Sequence, residues 1–289
     1  MTRTLLIALT VTVLATATGV ANADVIYGST TDSLYTINTT TNAQTLIAAT
    51  GLTNINGLAY DSASNSLFYR NGSSGTNQGN GALYRYNLSA PPATAQSLVV
   101  AATFFTNNPG QSIGAATNAS FYNGNYWFVG QGSDVLVRFN PFTQVVATFA
   151  NFDNTASTFA FNGDIAIDRN GVLYGSSADR FWSVNIASGL PTGYASIVNV
   201  GSNQTNSVNR QLAFGANGTT LFGYKDVGGT RQWANIAPNG VTSDVPAPLS
   251  NVRPYLDLAS AAVIPEPGTA TLSLLGVVGV GLGILRRRK

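Results

Sequence analysis

One phrase recurs along this chain, and it constrains the fold more than any other feature. An apolar-Ala-apolar stretch leads through an Asn- or Gly-containing turn to an aromatic stretch, and a second aromatic stretch follows. Gly57-Leu58-Ala59-Tyr60-Asp61 precedes Asn65-Ser66-Leu67-Phe68-Tyr69 and Ala82-Leu83-Tyr84-Arg85-Tyr86-Asn87. Asp164-Ile165-Ala166-Ile167-Asp168 precedes Asn170-Gly171-Val172-Leu173-Tyr174-Gly175 and Arg180-Phe181-Trp182-Ser183-Val184-Asn185. Gln211-Leu212-Ala213-Phe214-Gly215 precedes Asn217-Gly218-Thr219-Thr220-Leu221-Phe222-Gly223 and Arg231-Gln232-Trp233-Ala234-Asn235. A looser copy starts at Ile113-Gly114-Ala115-Ala116 and runs through Asn123 to Phe128 and Val135 to Asn140. Period-two alternation broken by Asn-Gly turns makes each copy a meander of short strands. A spacing of roughly 50 residues is that of a propeller blade.

The remaining fragments complete a ring. Residues 24–48 carry Val25-Ile26-Tyr27-Gly28 and Ser33-Leu34-Tyr35-Thr36-Ile37-Asn38, a blade without its first strand. Tyr255-Leu256-Asp257-Leu258-Ala259 reads as a lone first strand. Pairing the two closes an all-β propeller of about five blades and removes exposed sheet edges. The competing reading is a β-sandwich with a chance repeat. Gly72 to Gly81, GSSGTNQGNG, interrupts the second copy as a surface loop. Sequons at Asn38, Asn87, Asn118 and Asn217 read as turn chemistry rather than glycan sites.

Both ends carry segments of a different kind. At the N-terminus Arg3 precedes the apolar run Leu5 to Leu14, and Ala21-Asn22-Ala23 is an A-x-A cleavage site leaving Asp24 as the first mature residue. Residues 1–23 are therefore expected to be a signal peptide rather than an uncleaved anchor. Residues 24–262 form the propeller-like domain. Residues 263–289 hold Pro265-Glu266-Pro267, an uncharged span from Thr269 to Leu285, and the cluster Arg286-Arg287-Arg288-Lys289. Seventeen helical residues at about 1.5 Å each just cross a bilayer. The cations hold the far end in the cytoplasm, so the domain faces outward. A plain anchor needs no Pro-Glu-Pro. Two prolines fix an extended backbone outside the membrane, a form that suits an enzyme's groove.

This order of motif, span and basic end resembles the PEP-CTERM sorting domain of Gram-negative bacteria. The resemblance implies recognition by exosortase, a membrane protease/transpeptidase, with cleavage near Pro265, Glu266 and Pro267. It implies signal peptidase as a first partner and the inner membrane as a transient one. It also implies a periplasmic, membrane-anchored intermediate, then a cell-surface or extracellular destination in association with exopolysaccharide and biofilm matrix. The alternative for the tail is an ordinary anchor. The repeat itself resembles bacterial propellers in a generic way that carries no activity.

Composition removes several chemistries. The chain of 289 residues has no Cys and no His, so disulfides, thiolate sites and His-based catalysis are absent. Asp24 to Ile264 holds eleven Asp, no Glu, eight Arg and one Lys, a net of −2 with no basic run. That domain lacks the electrostatic footprint of a nucleic-acid binder. No Walker loop, dinucleotide fingerprint or calcium loop occurs, and no cofactor is expected.

Asp164 and Asp168 lie four apart on one strand-like stretch and share a face, as an acid/base or metal pair would. The plainer reading is that one starts the strand and the other opens the Asp168-Arg169-Asn170-Gly171 turn. Tyr126, Trp127, Trp182 and Trp233 read as packing between blades rather than a sugar platform. The expectation is a non-enzymatic exported protein. A carbohydrate-active enzyme or a protein-binding module on the same scaffold is the alternative.

Overall fold

The structure is a computed structural model. It describes residues 25–72, 81–106, 115–116, 118–131, 135–151, 163–176, 180–187, 198–202, 211–227, 230–238, 242–244 and 253–261. The expected signal peptide, with Ala21, Ala23 and Asp24, lies outside the described residues. So does the tail of residues 263–289 with its expected transmembrane helix 269–285. No helix among the described residues is long and apolar enough to cross a membrane.

The described strands form five antiparallel sheets, one per blade. Blade I holds β1 (Val25–Ser29), β2 (Ser33–Asn38) and β3 (Gln44–Ala49), with β21 (Asp257–Ser260) as its inner strand. Blade II runs from β4 (Asn56–Asp61) through β5 (Ser66–Arg70) and β6 (Leu83–Asn87) to β7 (Gln96–Val100). Short helices α1 (Pro92–Ala95) and α2 (Thr103–Thr106) flank β7. Blade III has a split inner edge, β8 (Ala115–Ala116) and β9 (Ser120–Tyr122), followed by β10 (Asn125–Gln131), β11 (Val135–Asn140) and β12 (Val145–Asn151). Blade IV is β13 (Ile165–Ile167), β14 (Val172–Ser176), β15 (Arg180–Asn185) and β16 (Val198–Ser202). Blade V is β17 (Gln211–Phe214), β18 (Leu221–Val227), β19 (Thr230–Ile236) and β20 (Thr242–Asp244).

The expected closure is present. β21 pairs antiparallel with β1, with Ile26 opposite Ser260 and Ser29 opposite Asp257. The five inner strands then touch in turn, β21 to β4 to β9 to β13 to β17 and back to β21. Because each blade is packed on both faces, its inner strands lose the simple alternation of a half-exposed sheet. Every residue of β5 is buried, whereas Leu46 on β3 and Leu98 on β7, both outer strands, are more than half exposed.

Five apolar clusters lie one at each blade junction. Leu34 and Ala259 of blade I meet Leu58 and Leu67 of blade II. Phe68 meets Phe121 and Phe128 between blades II and III. Trp127 meets Ile165 and Trp182 between III and IV. Ala166 and Phe181 meet Leu212 and Leu221 between IV and V. Tyr224 and Trp233 meet Ile26, Tyr255 and Leu258 between V and I. Tyr126, Trp127, Trp182 and Trp233 are thus core residues, at most 6 % exposed. Glycine in a second strand makes room for these rings. A Cβ on Gly175 would sit 2.0 Å from Trp182 Cζ2, and one on Gly28 would sit 2.6 Å from Tyr255 Cδ1.

Asn ends the third strand in four blades, and its side chain starts the turn that follows. Asn38 Oδ1 accepts from the Thr40 and Thr41 amides, Asn87 from Ser89, Asn140 from Phe142 and Thr143, and Asn185 from Ala187. Asn217 does the same for Thr219 and Thr220. Turn chemistry therefore accounts for three of the four sequons named above. Asn118 differs, because it is buried between β8 and β9.

The looser third copy starts where expected, with Ala115-Ala116 as β8, and Ser120–Tyr122 continues the inner edge as β9, which packs against β4 and β13. Between them Asn118 Oδ1 accepts from Val129 N at 2.8 Å and so takes the place of a ladder carbonyl.

Candidate functional site

Polar residues stand at the beginnings of the inner strands, where each blade turns toward the axis. Asn56, Gln211 and Asp257 open β4, β17 and β21, Asp164 immediately precedes β13, and Asn118 precedes β9. Around them runs a set of hydrogen bonds that joins each blade to the next. Asp257 Oδ2 of blade I accepts from Leu58 N of blade II at 2.5 Å. Tyr126 of blade III donates its hydroxyl to Gly57 O of blade II at 2.5 Å. Asn118 Nδ2 of blade III donates to Gly163 O of blade IV at 2.9 Å, and Ser120 Oγ accepts from Ile167 N at 3.1 Å. Asp164 Oδ2 of blade IV accepts from Leu212 N of blade V at 2.6 Å. Ser260 Oγ of blade I accepts from Phe214 N of blade V at 2.8 Å. All five junctions carry such a latch.

Local geometry sets these partners. Asp164 Oδ1 also accepts from its own strand at Ile165 N, 2.7 Å, and Asp257 Oδ1 from Leu258 N, 2.9 Å. One oxygen of each carboxyl thus fixes the side chain on its own blade and the other grips the neighbour. Gly57 permits the entry to β4: its φ is +63°, and a Cβ there would meet the Tyr126 hydroxyl at 2.6 Å.

Asp164 and Asp257 are both fully buried, and their carboxyls interact electrostatically. Burial is the first cause that raises both carboxyls well above the usual range, and their mutual repulsion adds to it for Asp164. The backbone amides pull in the opposite direction without cancelling burial. Two such acids titrate as one unit, and their burial raises the pair's affinity for a proton. The Tyr126 hydroxyl lies within the same field, raised chiefly by burial and opposed by Arg70.

The sequence-derived pair separates in space. Asp164 belongs to the buried axis. Asp168 lies at the far end of β13, where its Oδ1 accepts from Asn170 N and Val172 N at 2.8 Å each and closes the turn. Asp168 and Asp164 therefore do not converge, and the partner of Asp164 is Asp257. A sequence signal for it existed: Asp164-Ile165-Ala166 and Asp257-Leu258-Ala259 are the same phrase. No group of three or more His, Cys, Asp or Glu suited to a metal occurs among the described residues.

One cleft opens between blades IV and V, on the side of the turns that join first to second strands. It has a volume of about 290 Å³, with Tyr174, Phe214, Leu221 and Ile236 as apolar walls and Asp168, Arg169 and Asn170 among its polar residues. Tyr174 stacks on Phe181 at 5.9 Å between ring centroids and meets Phe214 edge-on at 5.8 Å, so its ring is engaged in the junction. The sorting residues Pro265, Glu266, Pro267 and Arg286 to Lys289 lie outside the described residues.

Comparison with known proteins gives a fold and a motif. A search of curated proteins finds no match. Among solved structures, the chain is similar to one in the crystal structure of a nidogen/laminin complex. The TM-score is 0.51 at 12 % identity, covering 78 % of each chain. It is also similar to TolB from Acinetobacter baumannii (TM-score 0.48, 13 % identity, 82 % of this chain and 54 % of that one). A streptogramin B lyase aligns with a TM-score of 0.44 at 12 % identity, over 80 % of this chain and 68 % of the lyase. At these identities the likeness is one of fold. Residues 263–289 match the PEP-CTERM protein-sorting motif. The chain is thus a five-bladed β-propeller bearing a PEP-CTERM tail, the mark of an exported protein sorted through exosortase.

Proposed function

We propose that this protein is a non-enzymatic component of the cell envelope or extracellular matrix, delivered by its signal peptide and processed by exosortase at its tail. The motif match at residues 263–289 carries this reading. The inner membrane holds the tail of the periplasmic intermediate, and the released or re-anchored propeller associates with exopolysaccharide. The fold is compatible with loss of the tail. The closing strand β21 ends at Ser260, before the motif begins at residue 263, so cleavage near Pro265–Pro267 leaves every described contact between inner strands intact.

The carboxyls at the axis support a scaffold rather than a hydrolytic centre. Glycoside hydrolysis needs two carboxyls that face a substrate. Asp164 and Asp257 instead spend both oxygens on backbone amides and lie at 0 % exposure. The cleft between blades IV and V favours a second reading, a propeller that binds a small ligand at that junction.

Intact mass of the protein from membrane and released fractions of its native host tests the first reading. A species running from Asp24 to near Pro265–Pro267 is expected. A membrane species that keeps Arg286 to Lys289, with no shorter form, would reduce the tail to an anchor. Glycan depolymerisation by the wild type, lost in Asp164→Asn, would overturn the non-enzymatic reading.

A further inference from the structure

Arg70 ends β5 with only 1 % of its surface exposed. Its Nε and Nη2 both donate to one acceptor, Gly81 O, each at 3.2 Å. Its Nη1 is buried and has no partner among the described residues. The guanidinium carbon lies 4.6 Å from the centroid of the Phe105 ring and 5.6 Å from that of Phe128. Burial lowers its pKa to about 10, so the group is still a cation at neutral pH.

A guanidinium in this position is normally paired, because an uncompensated buried charge is among the most unfavourable features a core can hold. None of the described carboxylates forms an ion pair with it. The buried acids Asp164 and Asp257 are committed to backbone amides and to each other. The two aromatic rings offset part of the cost through their negative faces, but they give Nη1 no acceptor. What remains is a planar donor fork in a dry setting, with one nitrogen unused.

We propose that Arg70 anchors a small carboxylate ligand at the junction of blades II and III, with Nη1 as its free donor. Three properties select a carboxylate. It is a monoanion, so it balances the single charge. It is planar, so its geometry matches that of a guanidinium. It is also less costly to desolvate than a doubly charged phosphate. The proposal is independent of how the tail is processed.

The test is thermal unfolding of the full-length chain in detergent, with sodium chloride replaced stepwise by sodium acetate at constant pH and ionic strength. The expected result is a saturable rise in Tm. At one hundred times the dissociation constant that rise is about 5–10 °C. Arg70→Met fills the same space with an apolar chain and is expected to lose the acetate-dependent rise while still folding. Arg70→Lys keeps the charge but not the fork, and is expected to show a smaller rise. A rise retained in full by Arg70→Met would assign the effect to acetate in bulk solution and overturn the proposal. Equal Tm in both salts for the wild type would mean that water satisfies Nη1, and would overturn it as well.

Discussion

Stability should fall as pH rises from 5 to 7, against the usual trend for a mildly acidic domain. The cause is the pair Asp164 and Asp257. In the unfolded chain both are ordinary carboxyls with pKa values of about 4, ionised above pH 5. In the folded ring burial holds both well above that range, so the pair keeps a proton. The native state then binds more protons than the unfolded state. The contribution is complete below the unfolded pKa and is lost as pH rises toward the folded one. Each pH unit over which the folded pair keeps a proton that the unfolded chain has lost corresponds to about 1.4 kcal/mol. In a domain of this size that is a drop in Tm of about 3–6 °C per such unit. The window is clean, because with no His and no Cys no side chain of ordinary pKa titrates between pH 5 and 8.

Differential scanning calorimetry at constant ionic strength reads the slope directly. Asp164→Asn is the informative variant. It removes one of the two titrating groups, but burial still raises Asp257, so the pH slope should persist in this variant and disappear only when Asp257→Asn is added. It also turns an amide NH₂ toward Ile165 N or Leu212 N, both of which need an acceptor, so stability at pH 5 should fall by about 1–3 kcal/mol. A wild-type Tm that is flat or rising between pH 5 and 7 would refute the shared proton. So would a slope that survives in the double variant.

Other consequences follow from the packing and the latches. Gly175→Ala must push the Trp182 ring off its strand, and is expected to cost about 1–3 kcal/mol in urea unfolding, whereas Gly124→Ala meets nothing within 4 Å and tests only backbone strain at its φ of +72°. Asn118→Ala removes an acceptor for Val129 N and a donor to Gly163 O, both buried, and should lose about 2–4 kcal/mol in the same assay. Tyr126→Phe should cost about 1–2 kcal/mol by orphaning Gly57 O. Truncation after residue 262 should leave the melting temperature of the propeller unchanged, while truncation after residue 255 removes β21 and should give an aggregating chain by size-exclusion chromatography.

The blade repeat was legible because it is a local pattern. Apolar-Ala-apolar, Asn-Gly and aromatic stretches each report on residues close in sequence, and inner strands buried on both faces repeat them faithfully. Closure was legible for the same reason, since Asp257-Leu258-Ala259 is a first strand without a blade. The start of blade III at Ala115-Ala116 was legible, but the split of its inner edge was not. There the ladder is carried across a break by the Asn118 side chain, and a side chain standing in for a backbone carbonyl leaves no periodic trace. The carboxyl pair was half visible. Asp164 was singled out for its spacing to Asp168, but sequence spacing within a strand says nothing about which side chains meet across an axis. Arg70 gave no signal, because an Arg at a strand end is usually solvated and only the packing of Phe105 and Phe128 makes it buried.

The position of Asp257 ties closure to the rest of the ring. Its strand pairs with β1 of blade I, its Oδ2 takes an amide from blade II, and its carboxyl meets Asp164 of blade IV. The bond to Leu58 spans 199 residues, and contacts of that separation form only after the intervening chain has been ordered. Blades II to V can each complete a four-stranded sheet from consecutive sequence, apart from the split edge of blade III, whereas blade I cannot. Until β21 arrives, β1 presents an open edge and Asp164 lacks the acid with which it shares a proton. The last strand therefore changes three things together: it seals an edge, completes the axis and raises the affinity of the pair for a proton. That coupling links ring closure to pH through the strand that precedes the sorting motif by only a few residues.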